Sequence, residues 1–456
     1  MTISVHYAVE LPSDSPLARY ALPKDFPFLV IDEEAKIIEP ALLYLRATLL
    51  KRGPRHKKLH TADAFAFDLR DWFDYLAHVQ WTNPLTNERE LGKPWDLAGE
   101  SDYIAYRDVA QEIVSYKTNQ QLASSTISRR QGTVERFYAF AKKEGWYTGD
   151  FVVNKVKKGR VKRTDDLGSN GGNGKGQATE ETSEFRERYE FGEPVRPLSA
   201  NEWHRIQQEI GPMPSEREHD LRPSRNRLAC ETAIGTGMRV DEVASLTEVQ
   251  LRGLYNDWIK ANDKDREDGF FSLYITKTKR LKPRDVWVPG YLIPELMAYV
   301  DGERKESIQS GLARAKRKGQ KYKKPVSLFV NETESAQHSG KAIRAESLSW
   351  AFKQACLAAD ITHFVDKIDI ETRERYRVKL VRHCFHDLRH TYALWRYQEE
   401  KKNGNAEPWK ELQIELGHAK LQTTRDIYLT IIDVDRRDAG RKQYEAKQRL
   451  GKRNAH

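Results

Sequence analysis

Between Thr61 and Gly145 the apolar residues recur at every third or fourth position, the period of a helix with one buried face. In TADAFAFDLRDWFDYLAHV that face carries Phe65, Leu69, Phe73 and Leu76. SDYIAYRDVAQEIVSYK predicts a second helix with Ile104, Val109 and Ile113 inward. The third segment, SSTISRRQGTVERFYAFAKKEG, starts on Ser and Thr, which cap helices well. It places Ile127, Val134, Phe137 and Ala141 on one stripe and ends at Gly145. Three such helices predict a small all-α domain over residues 56–155. Residues 1–55 hold several prolines and read as an irregular or weakly stranded N-terminal extension.

The period is then lost. NKVKKGRVKRTDDLGSNGGNGKGQATEETSE opens basic and turns glycine-rich and polar, so it cannot bury a core; residues 156–195 read as a linker. A second domain, residues 196–456, opens at RPLSANEW, where Ser199 and Glu202 have the spacing of a capping box. RNRLACETAIGTGMRVDEVASL reads as helices broken at glycine. In FFSLYITKTKRLKPRDVWVP apolar residues alternate on both sides of a basic turn: Phe271, Leu273 and Ile275, then Val286 and Val288. That alternation predicts a β-hairpin whose tip bears Lys277, Lys279, Arg280, Lys282 and Arg284. A basic insertion, ARAKRKGQKYKK, and a short apolar strand, VSLFV, follow; the remainder reads as helical, broken near Gly404 and Pro408. The expected fold is multidomain and mainly α: a helical N-terminal domain, and a mostly α-helical second domain with a small antiparallel β-sheet.

Charge changes this picture more than composition does. The 456 residues are 39% hydrophobic and 10% aromatic, ordinary for globular cores, but 77 Lys and Arg against 67 Asp and Glu leave a net charge of +10. Such an excess favours a polyanionic partner, of which nucleic acid is the usual one. Lys157, Lys158, Arg160 and Lys162, at the start of the linker, are candidates for a strap along phosphates; the other reading is a solvated spacer. Cys230, Cys356 and Cys384 are scattered and form no disulfide framework, which suits a reducing cytoplasm. MTISVHYAVELPSDSP has no basic region followed by an apolar run, so no secretory leader is expected, and no window has the apolar length of a membrane span.

Three short segments carry candidate chemistry. In GTGMRVDEVASL, Gly235 and Gly237 allow a tight turn and a fresh helix start, which puts Arg239 near backbone N–H groups that favour an anion. Glu242, three positions on, can hold the guanidinium; the alternative is an ordinary surface ion pair. In HDLRHTYAL, His386, Arg389 and His390 share a helix face. Zinc would need His386 and His390 plus a third ligand, and no cysteine or carboxylate pair accompanies them, which disfavours a metal site; a phosphate clamp and two core or surface histidines with an incidental arginine both stay open at this point. In ELGHAKLQTTRDIYL, Leu416 and Gly417 end a helix, His418 follows the break, and Thr423 and Thr424 can start another helix bearing Tyr428.

Read in order, Arg, then His-x-x-Arg, then Leu-Gly-His, then Tyr, with a basic hairpin between the first two, this set resembles the tyrosine recombinase (phage integrase) family. The resemblance spans the chain from about residue 60; the three N-terminal helices match the family's core-binding domain only in kind. It implies that Arg239 is the family's first arginine with Glu242 its acidic neighbour. Lys277 is the hairpin lysine, with Lys279 and Lys282 as alternatives on the same turn. His386 and Arg389 are the His-x-x-Arg pair, His418 the second histidine and Tyr428 the nucleophile. The spacing from His418 to Tyr428 is one residue longer than in many members.

The residue types suit that chemistry on their own account. A phosphodiester attacked by an oxygen nucleophile gains negative charge, and arginines bind it in bidentate fashion without losing their proton. Making phenolate from a tyrosine of pKa near 10 costs about 4 kcal/mol at pH 7, which a cationic cluster and a histidine acceptor lower. A lysine can protonate the leaving 5′ oxygen, and no metal or other cofactor is needed. The resemblance further implies duplex DNA as partner, a tetramer on two DNA sites, a Holliday-junction intermediate and a 3′-phosphotyrosyl link. The charged tail VDRRDAGRKQYEAKQRL would dock on a neighbouring subunit or stand as a solvated helix. A type IB topoisomerase or a telomere resolvase would share the chemistry, a catalytically inactive DNA-binding accessory protein only the fold; a zinc hydrolase is the remaining alternative.

Overall fold

A computed structural model describes residues 2–10, 22–50, 59–115, 118–149, 151, 155–157, 181–183, 187, 196–276, 283–335 and 337–417. The chain divides into two compact units, residues 1–192 with 366–376 and residues 193–365 with 377–456. Both are mainly α, and the sheets among the described residues have two or three strands.

In the first unit β1 (Ile3–Tyr7), β2 (Pro27–Ile31) and β3 (Lys36–Ile37) form an antiparallel sheet, with Ile3 opposite Ile31. There follow α1 (Glu39–Leu50), α2 (Leu59–Ala77), a hairpin of β4 (Gln80–Thr82) and β5 (Arg89–Leu91), and α3 (Glu100–Glu112). A short pair of β6 (Val114–Ser115) and β7 (Gln120–Gln121), then α4 (Ser124–Lys143), and paired β8 (Lys155–Lys157) and β9 (Glu181–Ser183) complete it. Trp72, fully buried on α2, sits in a core with Leu69, Phe73, Leu76, Phe137 and Tyr138. The N-terminal residues join that core: Ile3, Phe26, Leu29, Ala41, Tyr44 and Leu45 are all buried in it. The extension read as irregular or weakly stranded thus contributes, among its described residues, three short strands and a helix, the helix because EPALLYLRATLL repeats its apolar residues at helical spacing.

The stripe expected on α4 is found: Ile127, Val134, Phe137 and Ala141 are buried. Its cap is not, since Ala123 holds the N-cap position without a side-chain bond. On α3 the face is rotated. Tyr103, Tyr106 and Ala110 are buried, whereas Val109 is 48% and Ile113 40% exposed. The tyrosine rings bring more apolar area than the aliphatic residues and pack with Trp72 and Phe151.

The second unit opens with α5 (Ala200–Ile210), capped as expected by Ser199 and Glu202, whose backbone and side-chain groups bond reciprocally at 2.9 and 3.2 Å. Then come α6 (Arg225–Thr236), α7 (Val240–Ala244), α8 (Glu248–Lys260) and α9 (Asp263–Asp268). The expected hairpin is β10 (Phe270–Ile275) with β11 (Arg284–Pro289), antiparallel, with Leu273 opposite Val286. Next are α10 (Leu292–Tyr299), continued through a π turn into α11 (Lys305–Arg317), then α12 (Ala345–Ala358). The segment VSLFV is held by isolated bridges, Thr247 to Ser327 and Val330 to Ala342, and does not form a full strand. After it the chain is not wholly helical. β12 (Thr362–Ile368) and β13 (Arg375–Val381) pair before α13 (Phe385–Lys402) and α14 (Pro408–Leu416). Gly404, at φ 79°, and Gly417, at φ 63°, end the two helices. The core runs from Ile206 through Leu228, Val243, Val286 and Phe352 to Leu388.

Candidate active site

The turn between α6 and α7 organises the site. Gly237 closes α6 at φ 66°, and a Cβ there would come within 2.5 Å of the Tyr392 ring, so both the backbone and the space require glycine. Arg239 becomes the N-cap of α7. Its N–H donates to Glu242 Oε2 at 2.9 Å and its Nη1 to Oε1 at 3.2 Å.

Glu242 is 1% exposed and carries a second cation. Arg284, at the start of β11, donates from Nη1 and Nη2 to its two oxygens at 2.9 and 2.8 Å. Burial pushes the Glu242 carboxyl up, but the Arg284 bonds and charge, with Arg239 added, outweigh it and hold the group below the usual carboxylate range. Two guanidinium groups around one carboxylate leave the pocket net positive. By sequence Arg284 belongs with the cations of the hairpin tip; in the fold it faces inward, because it shares its parity with buried Val286 and Val288.

Arg389 comes to the same turn from α13. It is 1% exposed, with Nη1 donating to Gly237 O and Nη2 to Leu416 O, each at 2.5 Å. Those carbonyls stand at the C-terminal ends of α6 and α14, where the helix dipole favours a cation. Arg284 reaches the same end of α14, its Nε donating to Glu415 O at 3.0 Å. Arg239, Glu242, Arg284 and Arg389 thus meet where the chain approaches residue 418.

His386 is exposed, one turn before Arg389, and its ring meets that of His390 edge-on at 4.7 Å. Burial, and then the neighbouring His386, push His390 down to about 4, so this ring is neutral at pH 7. Sequence reasoning missed His383. Its side chain is wholly buried, with Nε2 3.4 Å from Glu202 Oε1 and Nδ1 3.6 Å from Asp387 Oδ2. Asp387 also accepts from Cys384 N–H at 2.8 Å and so caps α13. Burial raises the Asp387 carboxyl, but the adjacent His383 ring and the Cys384 N–H bring it below its ordinary value. His383 therefore links the N-termini of α5 and α13, a contact across 181 positions.

Lys277, Lys279, Arg280, Lys282, Lys158, Arg160, Lys162, His418 and Tyr428 lie outside the described residues, and of Lys157 only the backbone, in β8, is described. Among the described residues no three His, Cys, Asp or Glu side chains cluster as a metal ion requires, and no helix is long and apolar enough to cross a membrane. A cavity of about 820 Å³ in the second unit, lined by Trp203, Phe270, Trp287, Tyr291 and Trp395, contains none of the candidate residues.

No family model and no curated protein matches the sequence. Among solved structures the chain is similar to the XerH site-specific recombinase bound to palindromic difH substrate in a post-cleavage complex, at 16% identity over 86% of this chain and 82% of that one, with a TM-score of 0.48. It is also similar to XerA recombinase, at 15% identity over 86% and 93%, with a TM-score of 0.30.

Proposed function

We propose that the chain is a site-specific DNA recombinase or integrase of a mobile element, which cleaves and rejoins DNA through a 3′-phosphotyrosyl intermediate. One observation carries the reading: Arg239 and Arg389, 150 positions apart, meet at the Gly237 turn beside the end of α14, with Glu242 and Arg284 fixing the first of them. Such a cluster of permanent cations suits the extra charge of a pentacoordinate phosphate.

In this mechanism Arg239 and Arg389 bind the non-bridging oxygens of the scissile phosphate. The phenol oxygen of Tyr428 attacks phosphorus and the bond to the 5′ oxygen breaks. Lys277 gives that oxygen its proton, and the phenol proton passes to a histidine, with His418 and His386 beside the phosphate. The 5′ hydroxyl of a partner strand then attacks the phosphotyrosine and restores the tyrosine. The phosphodiester count is unchanged, so no nucleotide is consumed. The enzyme works in the cytoplasm as a tetramer on two duplex sites, through a Holliday junction, and the strap at Lys157, Lys158, Arg160 and Lys162 lies along phosphates.

A nicked suicide substrate tests the reading, because it loses the 5′ hydroxyl after cleavage and traps the covalent species. Wild-type protein should give a denaturation-resistant adduct, mapped by peptide sequencing to Tyr428, and Tyr428→Phe should give none while binding DNA as before. An adduct on Tyr444 would move the nucleophile; no tyrosine adduct on any cognate site would end the proposal.

A further inference from the structure

The basic insertion is the most cationic stretch among the described residues, and the chemistry above does not use it. From Ser307 to Asn331 the sequence has no Asp or Glu, while Lys316, Arg317, Lys318, Lys321, Lys323 and Lys324 are all exposed. Lys324 pairs with Glu248 at 4.0 Å; among the described residues the other five have no carboxylate partner. Lys316 and Arg317 offset the dipole at the end of α11, but Lys321 and Lys323 lie beyond the helix.

The backbone here is built, not slack. Gly319, at φ 63°, reverses the chain after α11, and Gln320 N–H donates back to Ala315 O at 2.9 Å. Tyr322 turns inward and donates to Gly340 O at 2.7 Å. It packs where Gly311 and Gly340 leave room; a Cβ on Gly340 would lie 2.8 Å from its hydroxyl. Tyr322 is half-buried, while Lys321 and Lys323 on either side of it are exposed. Buried Arg304 grips the far end, donating to Pro325 O and Ser327 O.

The root of this arm is joined to the segment that follows the candidate site's helix. Glu248 N–H donates to Val326 O at 3.1 Å and Leu328 N–H to Leu246 O at 2.7 Å, directly after α7. Glu248 follows Glu242 by six positions, and six residues span at most about 22 Å. The root of the arm therefore lies within that reach of Glu242, a span over which duplex DNA carries about thirteen phosphate charges.

We propose that residues 316–324 form a preshaped cationic arm that binds the sugar–phosphate backbone of the same duplex DNA the enzyme cleaves. This rests on the recombinase reading. Five like charges held on a fixed backbone repel one another, and phosphates relieve that repulsion by displacing their own counterions. The arm reads no base, so it adds affinity without sequence preference.

The test uses the full chain with Lys316, Arg317, Lys318, Lys321 and Lys323 all changed to Gln, titrated with duplex DNA and with duplex RNA of the same sequence across a salt series. Affinity for DNA should fall at least about tenfold near 0.1 M salt. The slope of log K against log salt should shrink by about 2 to 4, at about 0.9 for each phosphate that the arm no longer neutralises. A variant with Arg at the four lysines should keep the wild-type slope, which separates charge from folding. An unchanged slope in the Gln variant, or a weakening confined to RNA, overturns the arm. If the arm fails while Tyr428 still forms its adduct, only this inference falls; if wild-type protein itself shows no salt dependence on DNA, the recombinase reading falls as well.

Discussion

Glu242 is the residue on which the candidate site balances. It is buried, and two arginines meet it. Removing one member of a buried charge cluster leaves the others uncompensated, so Glu242→Gln should cost about 3 kcal/mol in urea unfolding. The folded carboxyl sits below its ordinary value. Its contribution is therefore present above the ordinary carboxylate range and disappears as pH falls through the lower, folded value. The stability gap between wild type and Glu242→Gln should be constant near neutrality and close in acid; a gap that widens in acid would contradict the assignment. The pairing of Arg239 with Glu242 is legible in the sequence because it is local. The inward turn of Arg284 is legible only through its parity on β11. The role of His383 is not legible, since its contact with Glu202, 181 positions away, arises only once α5 and α13 are packed.

At the scale of elements, what the hydrophobic pattern foretells depends on how cleanly it is written. The stripe of α4 is aliphatic and aromatic at unbroken spacing, and its buried face follows from it. The face of α3 departs from the aliphatic pattern because Tyr103 and Tyr106 carry polar tips on large apolar bodies. The β12–β13 hairpin is invisible in the pattern because THFVDKI and RYRVKLV bury no residue fully and so show no clear alternation. The α6–α7 turn is announced by its two glycines, and they are not equivalent. Gly237→Ala must adopt a left-handed backbone and meet the Tyr392 ring, which should cost about 2 kcal/mol or more and suppress strand cleavage. Gly235→Ala meets only the Pro289 ring, 3.1 Å away within a regular helix, and should be milder in both assays. Equal effects at the two glycines would show that the turn does not hold Arg239.

For the whole molecule, the clearest mark in the sequence is the loss of helical period after Gly145 and the polar stretch that follows. The role of β1 and β2 in the first core leaves no such mark, because these strands acquire an inside only by packing on α2. Each unit has its own hydrophobic core, one centred on Trp72 and the other on Phe352. Calorimetry should accordingly resolve two transitions. Trp72→Ala should lower one and Phe352→Ala the other, each by about 3 to 5 kcal/mol of local stability. A single transition moved equally by both substitutions would mean that the cores unfold as one.

The two carbonyls held by Arg389 have a consequence for communication. One guanidinium spans the Gly237 turn and the last residue before Gly417, so the position of either end biases the other. Coupling of this kind is reciprocal: whatever free energy an occupant of the Arg239 turn imposes on the end of α14, a displacement of that end returns in equal measure. Since the chain continues from there to His418 and Tyr428, the proposed function would make Arg389 a transmitter as well as a phosphate ligand. A change there would alter the timing between filling the pocket and presenting the C-terminal segment, apart from any effect on charge.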